Sequence, residues 1–159
     1  MSPEEFEQLL PLATSWVQEQ ETRILSSGVA LTPAQLSDAR QMGVAHPERV
    51  RLLIVARVPM PEHPILRAAA EATGMVSPLT VGLALRYGIF IRDRFANDRV
   101  LVAHELVHTG QYESWGGIAA FLRQYLQECF TIGYPDAPME QEAIQRSNRL
   151  RHPKSRPGN

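Results

Sequence analysis

The run NDRVLVAHELVHTGQYESWGG, residues 97–117, restricts the possible fold more than any other stretch of the chain. Asn97 and Asp98 are capping residues that place negative charge at the positive end of a helix dipole, and Gly116-Gly117 supply a stop. Apolar residues recur between them with helical period, so one helix is expected across the run. Within it His104 and His108 are four apart and lie one above the other on one face, so both imidazoles can reach a single small cation. The stretch is a candidate metal site.

A catalytic zinc takes three protein ligands, typically imidazole nitrogens and a carboxylate, and leaves its fourth position for water. His104 and His108 supply two. Glu105 follows the first histidine by about 100 degrees round the helix, beside the ion rather than on it, which makes it the candidate general base. The implied reaction is hydrolysis of a peptide or amide bond. For the third ligand, His46 precedes Pro47 and a strand, His63 lies in a proline-rich loop and His152 lies in a basic tail. The segment Met139-Glu140-Gln141-Glu142-Ala143 instead follows a turn and opens a helix. Ala143 lies one turn beyond Glu140 on the same face and allows close helix approach, so Glu140 is preferred. Glu142, about 160 degrees away, is held in reserve. Gln111 shares the histidine strip and is a candidate to hold a histidine or line the cleft. Tyr112, Tyr134, Arg86 and Arg92 are candidate donors to a developing oxyanion.

Composition sets the limits around this site. With 159 residues and 44% hydrophobic content, the chain can bury one core and is short for two. A net charge of -1 gives no global attraction to nucleic acid or an anionic membrane. Cys129 is the one cysteine, so neither an intrachain disulfide nor a cysteine-based zinc cluster is available. The acidic start MSPEEFEQLL does not read as a secretion signal, and no apolar run approaches membrane-spanning length. A cytoplasmic location in the producing cell is expected, with specialised export left open and no membrane partner.

Along the chain, Ser2-Pro3-Glu4-Glu5 fits a capping box. It opens a helix whose stripe Phe6, Leu9, Leu10, Ala13, Trp16, Val17, Ile24 and Leu25 runs towards Gly28, with Pro11 expected to bend it. Thr32-Pro33 caps a second helix over 33–42. Residues 49–58 read as a buried strand that runs into a proline-broken loop, and residues 65–74 as a short helix closed by Gly74. Strands are expected at 79–83 and 87–91, with 87–91 as the edge able to bind extended substrate by β-addition. Helices over 118–130 and 138–149 complete the reading. The tail from Arg146 to Arg156 carries five basic residues and no acid, and reads as a solvated, flexible end.

HELVH followed on a later helix by EQEA resembles the gluzincin branch of the zincin metallopeptidases, whose pattern is H-E-x-x-H with a downstream glutamate in an E-x-x-A context. The stretch GLALRYGIFIRDRFANDRVLVAHELVHTGQYE is also similar to the compact zincin-like domain often attached to bacterial toxins and contractile injection systems. By position the resemblance implies His104, His108 and Glu140 as zinc ligands and Glu105 as base. It implies an α+β, zincin-like fold, mostly helical with a short sheet beside the HELVH helix. Ile144 stands where these peptidases often carry an acidic residue after E-x-x-A, which removes a possible partner for a histidine. The resemblance covers roughly residues 79–145. One domain is therefore expected over 1–159, with 1–75 as scaffold, 79–150 as the metal-binding core and 151–159 as the tail. The expected function is a zinc metallopeptidase acting on peptide or protein substrate. A non-catalytic zinc scaffold is the alternative, and a nucleic-acid or acidic-partner module through the tail ranks below it.

Overall fold

The computed structural model describes residues 1–151, which form six helices and a four-stranded mixed sheet, an α+β arrangement. Helix α1 (Pro3–Ser27) starts at the expected capping box. The Glu5 N–H donates to Ser2 Oγ at 3.1 Å and the Ser2 N–H donates to Glu5 Oε2 at 2.7 Å. Pro11 is carried inside the helix without ending it. Leu9, Leu10, Ala13, Val17 and Ile24 are buried as the stripe requires, but Leu25 is exposed and the carboxylate of Glu21 is buried in line with them. A two-residue strand β1 (Val29–Ala30) follows, and then helix α2 (Pro33–Gln41), capped by Thr32 and Gln35.

The stretch 49–58 is only partly strand. A 3-10 turn at Pro47–Arg49 consumes its start, β2 spans Arg51–Val55, and Ile54 faces outward. Helix α3 (Pro64–Thr73) closes on Gly74, whose φ of 74° is the left-handed conformation that glycine adopts freely. Strand β3 (Gly82–Leu85) begins later than expected, because Leu79 belongs to the preceding loop and is 80% exposed. Strand β4 (Gly88–Arg92) completes a hairpin with it.

The sheet order is β1-β2-β4-β3, with β2 parallel to β4 and the outer pairs antiparallel. The assignment of 87–91 as an edge is thus corrected: β4 is paired on both sides, and the edge strand beside the HELVH helix is β3. Ile89, Phe90 and Ile91 are apolar on both faces and fully buried, which suits an interior strand. The pairing with β2 could not be read from the local pattern. It also makes residues 1–75 inseparable from the rest, since β2 lies between β1 and β4.

Alternation divides the core. Leu85 and Phe90, with part-buried Leu83, face α1, α3 and α5 (Ile118–Thr131); Ala84, Ile89 and Ile91 face α2 and α4 (Arg99–Trp115). A Cβ on Gly88 would meet Ile24 Cβ at 2.9 Å, so α1 rests directly on β4. Arg86, at the hairpin turn, has φ 61°, and two helices hold it there. Its guanidinium donates twice to buried Glu21 of α1, at 2.8 and 2.7 Å, while its carbonyl accepts from Thr109 Oγ1 of α4 at 2.6 Å. Helix α6 (Pro138–Arg151) then runs along α4 with Ala143 wholly buried between them. Arg146 and Arg149 are helical, as the expected helix over 138–149 requires, and the helix runs on to Arg151, which was expected to open the flexible tail; residues 152–159, including His152, lie outside the described residues. Among the described residues no helix is long and apolar enough to cross a membrane.

Candidate metal centre

The i, i+4 spacing on α4 brings the His104 and His108 ring centroids to 5.0 Å. The first turn of α6 delivers Glu140 between them. Its Oε1 is 2.7 Å from His104 Nε2 and its Oε2 is 3.1 Å from His108 Nε2. One ligand atom from each of the three residues lies within 4.8 Å of the others, a grouping that could hold a metal ion. Glu142 is not part of it: it sits 3.5 Å from Arg146, on another face of α6. His46 pairs with Glu48 at the surface, and His63 Nδ1 accepts the Ile65 N–H at the start of α3.

A second set of contacts fixes these donors. His108 Nδ1 lies 2.8 Å from Gln111 Oε1, and Gln111 Nε2 donates to the Met139 carbonyl at 2.9 Å. With Gln111 accepting at Nδ1, the other ring nitrogen is turned to the Glu140 side. One amide thereby orients the His108 ring and ties α4 to α6, the help that Ile144 cannot give. Burial alone would lower the His108 pKa, but the hydrogen bond to Glu140 and the charges of Glu105 and Glu140 outweigh it and raise the group to about 9. Burial alone would raise Glu140, yet the hydrogen bonds from both imidazoles carry it well below the usual carboxylate range. The group is therefore set to stabilise positive charge where its donors converge, the property a cation site needs.

Two of its supports were not foreseen. Tyr125 of α5, read only as part of an apolar stripe, donates its hydroxyl to Glu140 Oε2 at 2.9 Å and sets its ring edge-on against His108, with centroids 5.7 Å apart. Glu128, one turn further on, accepts the Met139 N–H at 2.8 Å and the Gln124 amide at 2.8 Å, which anchors the first turn of α6. The available signal was a phenol and a carboxylate three apart within an otherwise hydrophobic helix face.

Glu105 stands outside the donor group. It is buried against the edge strand, where a Cβ on Gly82 would lie 3.1 Å from its Cγ and 3.2 Å from its Oε1. Burial raises its pKa, and the two imidazoles oppose that rise only in part. Tyr134, in the loop before α6, lines the same cleft; burial and the nearby Glu140 and Glu105 carboxylates hold its phenol protonated. Tyr112, by contrast, is a core residue. It stacks on Phe121 at 3.6 Å and turns its hydroxyl to the Ala84 carbonyl at 3.4 Å. Arg86 is engaged by Glu21, and Arg92 donates to the Ala56 carbonyl at 3.2 Å.

Two hollows meet at these residues. An open cleft of about 520 Å³ is walled by the 74–82 loop, α6 and the start of α4, and a smaller apolar cavity of about 110 Å³ runs inward beneath α1, α3 and α5. His104, Glu105, Tyr134 and Glu140 line both. The chain is thus an α+β protein with a His-His-Glu group able to hold a metal ion beside a cleft. Comparison of the chain with protein-family models, curated proteins and solved structures finds no match.

Proposed function

We propose that the protein is a zinc-dependent peptidase of zincin-like fold. The observation that carries the reading is the convergence of His104, His108 and Glu140 with Glu105 beside them, buried and left out of the donor set. Two imidazoles and one carboxylate with an open side form a donor set suited to catalytic zinc, and no cysteine stands near enough to close it as a fourth ligand. Zinc held there supplies a Lewis acid that polarises a carbonyl and makes a water acidic near neutral pH.

The chain's own residues do the rest. Glu105, its proton affinity raised by burial, takes a proton from the attacking water and returns it to the leaving amine nitrogen. Tyr134, held protonated at the rim, donates to the carbonyl oxygen as negative charge develops on it. The free edge of β3 offers backbone groups to an extended peptide, and Gly82 keeps that edge close to Glu105.

The test is metal analysis and peptide cleavage on wild type and Glu105→Gln. Stoichiometric zinc in both proteins, with cleavage reduced about 10²–10⁴-fold in the variant, is expected. Absence of stoichiometric metal from protein purified without chelator overturns the proposal.

A further inference from the structure

Residues 1–75 lie outside the stretch that carries the family resemblance, yet α1 and α3 wall the apolar cavity that opens beside Glu105 and His104. We propose that this cavity is the specificity pocket of the site and takes one branched aliphatic side chain of the substrate. The proposal rests on the peptidase reading and names the substrate class for it.

Position, chemistry and size all point the same way. The cavity shares His104, Glu105, Tyr134 and Glu140 with the open cleft, so a chain lying along β3 can send one side chain inward while its backbone stays at the reacting groups. Protein interiors leave few voids larger than a water molecule, so a larger one opening beside chemistry-bearing residues suggests an occupant. Its inner walls are Ala13 and Val17 from α1, Leu66 and Ala69 from α3, and Leu122 and Leu126 from α5. The titratable groups on its lining are His104, Glu105, His108, Glu140 and three tyrosines, while the inner walls carry no charged side chain, so a lysine, arginine, aspartate or glutamate reaching those walls would lose water without gaining a partner there.

The volume sets the upper size. A dry cavity of about 150 Å³ accommodates one benzene. At about 110 Å³ this one has room for the isobutyl, sec-butyl or isopropyl group of leucine, isoleucine or valine, and none for an indole. Ala13 and Ala69 keep the space open: a larger side chain at either position would occupy it. The N-terminal helices therefore select the substrate while α4 and α6 carry the chemistry.

The experiment has two independent readouts. On metal-free protein, isovaleramide is titrated while methyl resonances of Ala13, Ala69 and Leu122 are followed by NMR, with Ala13→Leu as the filled-pocket control. On zinc-loaded protein, a peptide library is cleaved and sequenced. Expected are saturable shifts at those methyls that vanish in Ala13→Leu, and a preference of at least about tenfold for leucine, isoleucine or valine over alanine, lysine and aspartate at one position flanking the cleaved bond. Should Ala13→Leu fail to fold, Ala69→Val narrows the same space and is required to weaken probe binding. Absence of probe binding, or cleavage indifferent to that residue, overturns the pocket whatever the fate of the peptidase reading. Probe binding without any cleavage leaves the pocket standing as a ligand site and removes the peptidase reading instead.

Discussion

Replacing Gln111 with leucine tests whether the metal centre depends on its outer contacts. The side chains are close in size, so the change removes two hydrogen bonds with little loss of volume. His108 Nδ1 loses its 2.8 Å partner and the Met139 carbonyl loses its 2.9 Å donor, both in buried surroundings. Each orphaned buried group costs about 1–3 kcal/mol, so the metal-free protein should lose on the order of 3 kcal/mol. For a chain of this length that is a fall in Tm of roughly 6–12 °C. The effect on zinc is separable: loss of a ligand's outer hydrogen bond typically weakens metal binding about 10–100-fold, or about 1.4–2.7 kcal/mol. Melting of chelator-treated protein measures the first quantity, and competition against a chromophoric chelator at fixed pH measures the second. Gln111→Glu is the informative partner. It keeps an acceptor for His108 Nδ1 but sets a carboxylate oxygen against the Met139 carbonyl, so it should melt lower and still hold zinc. If Gln111→Leu melts lower yet binds zinc within about twofold of wild type, Gln111 only ties α4 to α6 and the orientation argument is wrong.

In metal-free protein the His108 value lies above its unfolded one, so its contribution to stability is fully present below about pH 6.5 and fades as pH rises through about 9. Zinc competes for the same position, so its affinity should fall about tenfold for each pH unit below 9, and calorimetry near pH 7.5 in two buffers should detect about one proton released; no released proton would refute this. Gly82→Ala places a methyl about 3.1 Å from Glu105 Cγ, and should reduce cleavage at least about tenfold while zinc affinity stays within a few-fold. Glu21→Ala leaves Arg86 and the Tyr87 N–H without their acceptor and should cost about 3 kcal/mol in urea unfolding, with zinc affinity unchanged because the ion pair lies outside both hollows.

What the sequence revealed was local. The Ser2 capping box, the Thr32 cap, the glycine stops at Gly74 and Gly116 and the i, i+4 histidine pair depend on residues within one or two turns, and each is present as read. Glu140 was legible for a related reason: Ala143, one turn along, marked the face able to approach another helix, and it is the face α6 lays on α4. Long-range pairings were not legible. Ile89, Phe90 and Ile91 have the same pattern at an edge or in the centre, and only the arrival of β2 from a distant part of the chain decides between them. Tyr125 was hidden by its company, because a phenol on a stripe with Leu122 and Phe121 reads as core until the partner of its hydroxyl is known.

The buried carboxylates separate scaffold from chemistry better than the motif alone. Glu21 receives the Arg86 guanidinium and the Tyr87 N–H, Asp38 receives both arms of Arg99, and Glu128 receives the Met139 N–H and the Gln124 amide. Glu140 is matched by two imidazoles and a phenol. Donors aimed at each of these acids fix its geometry, and at Glu140 the two imidazoles also hold the carboxylate in its charged form. Glu105 differs: among the described residues no side chain donates a hydrogen bond to it, and burial raises its proton affinity at the cleft against the opposing pull of the two imidazoles and, after them, the Ala84 backbone. An acid kept dry and under-partnered beside a cation site is a standing cost to stability. Its raised proton affinity at the cleft, where the other buried acids are matched by donors, is the physical ground on which the proposed reading gives Glu105 the proton-transfer role.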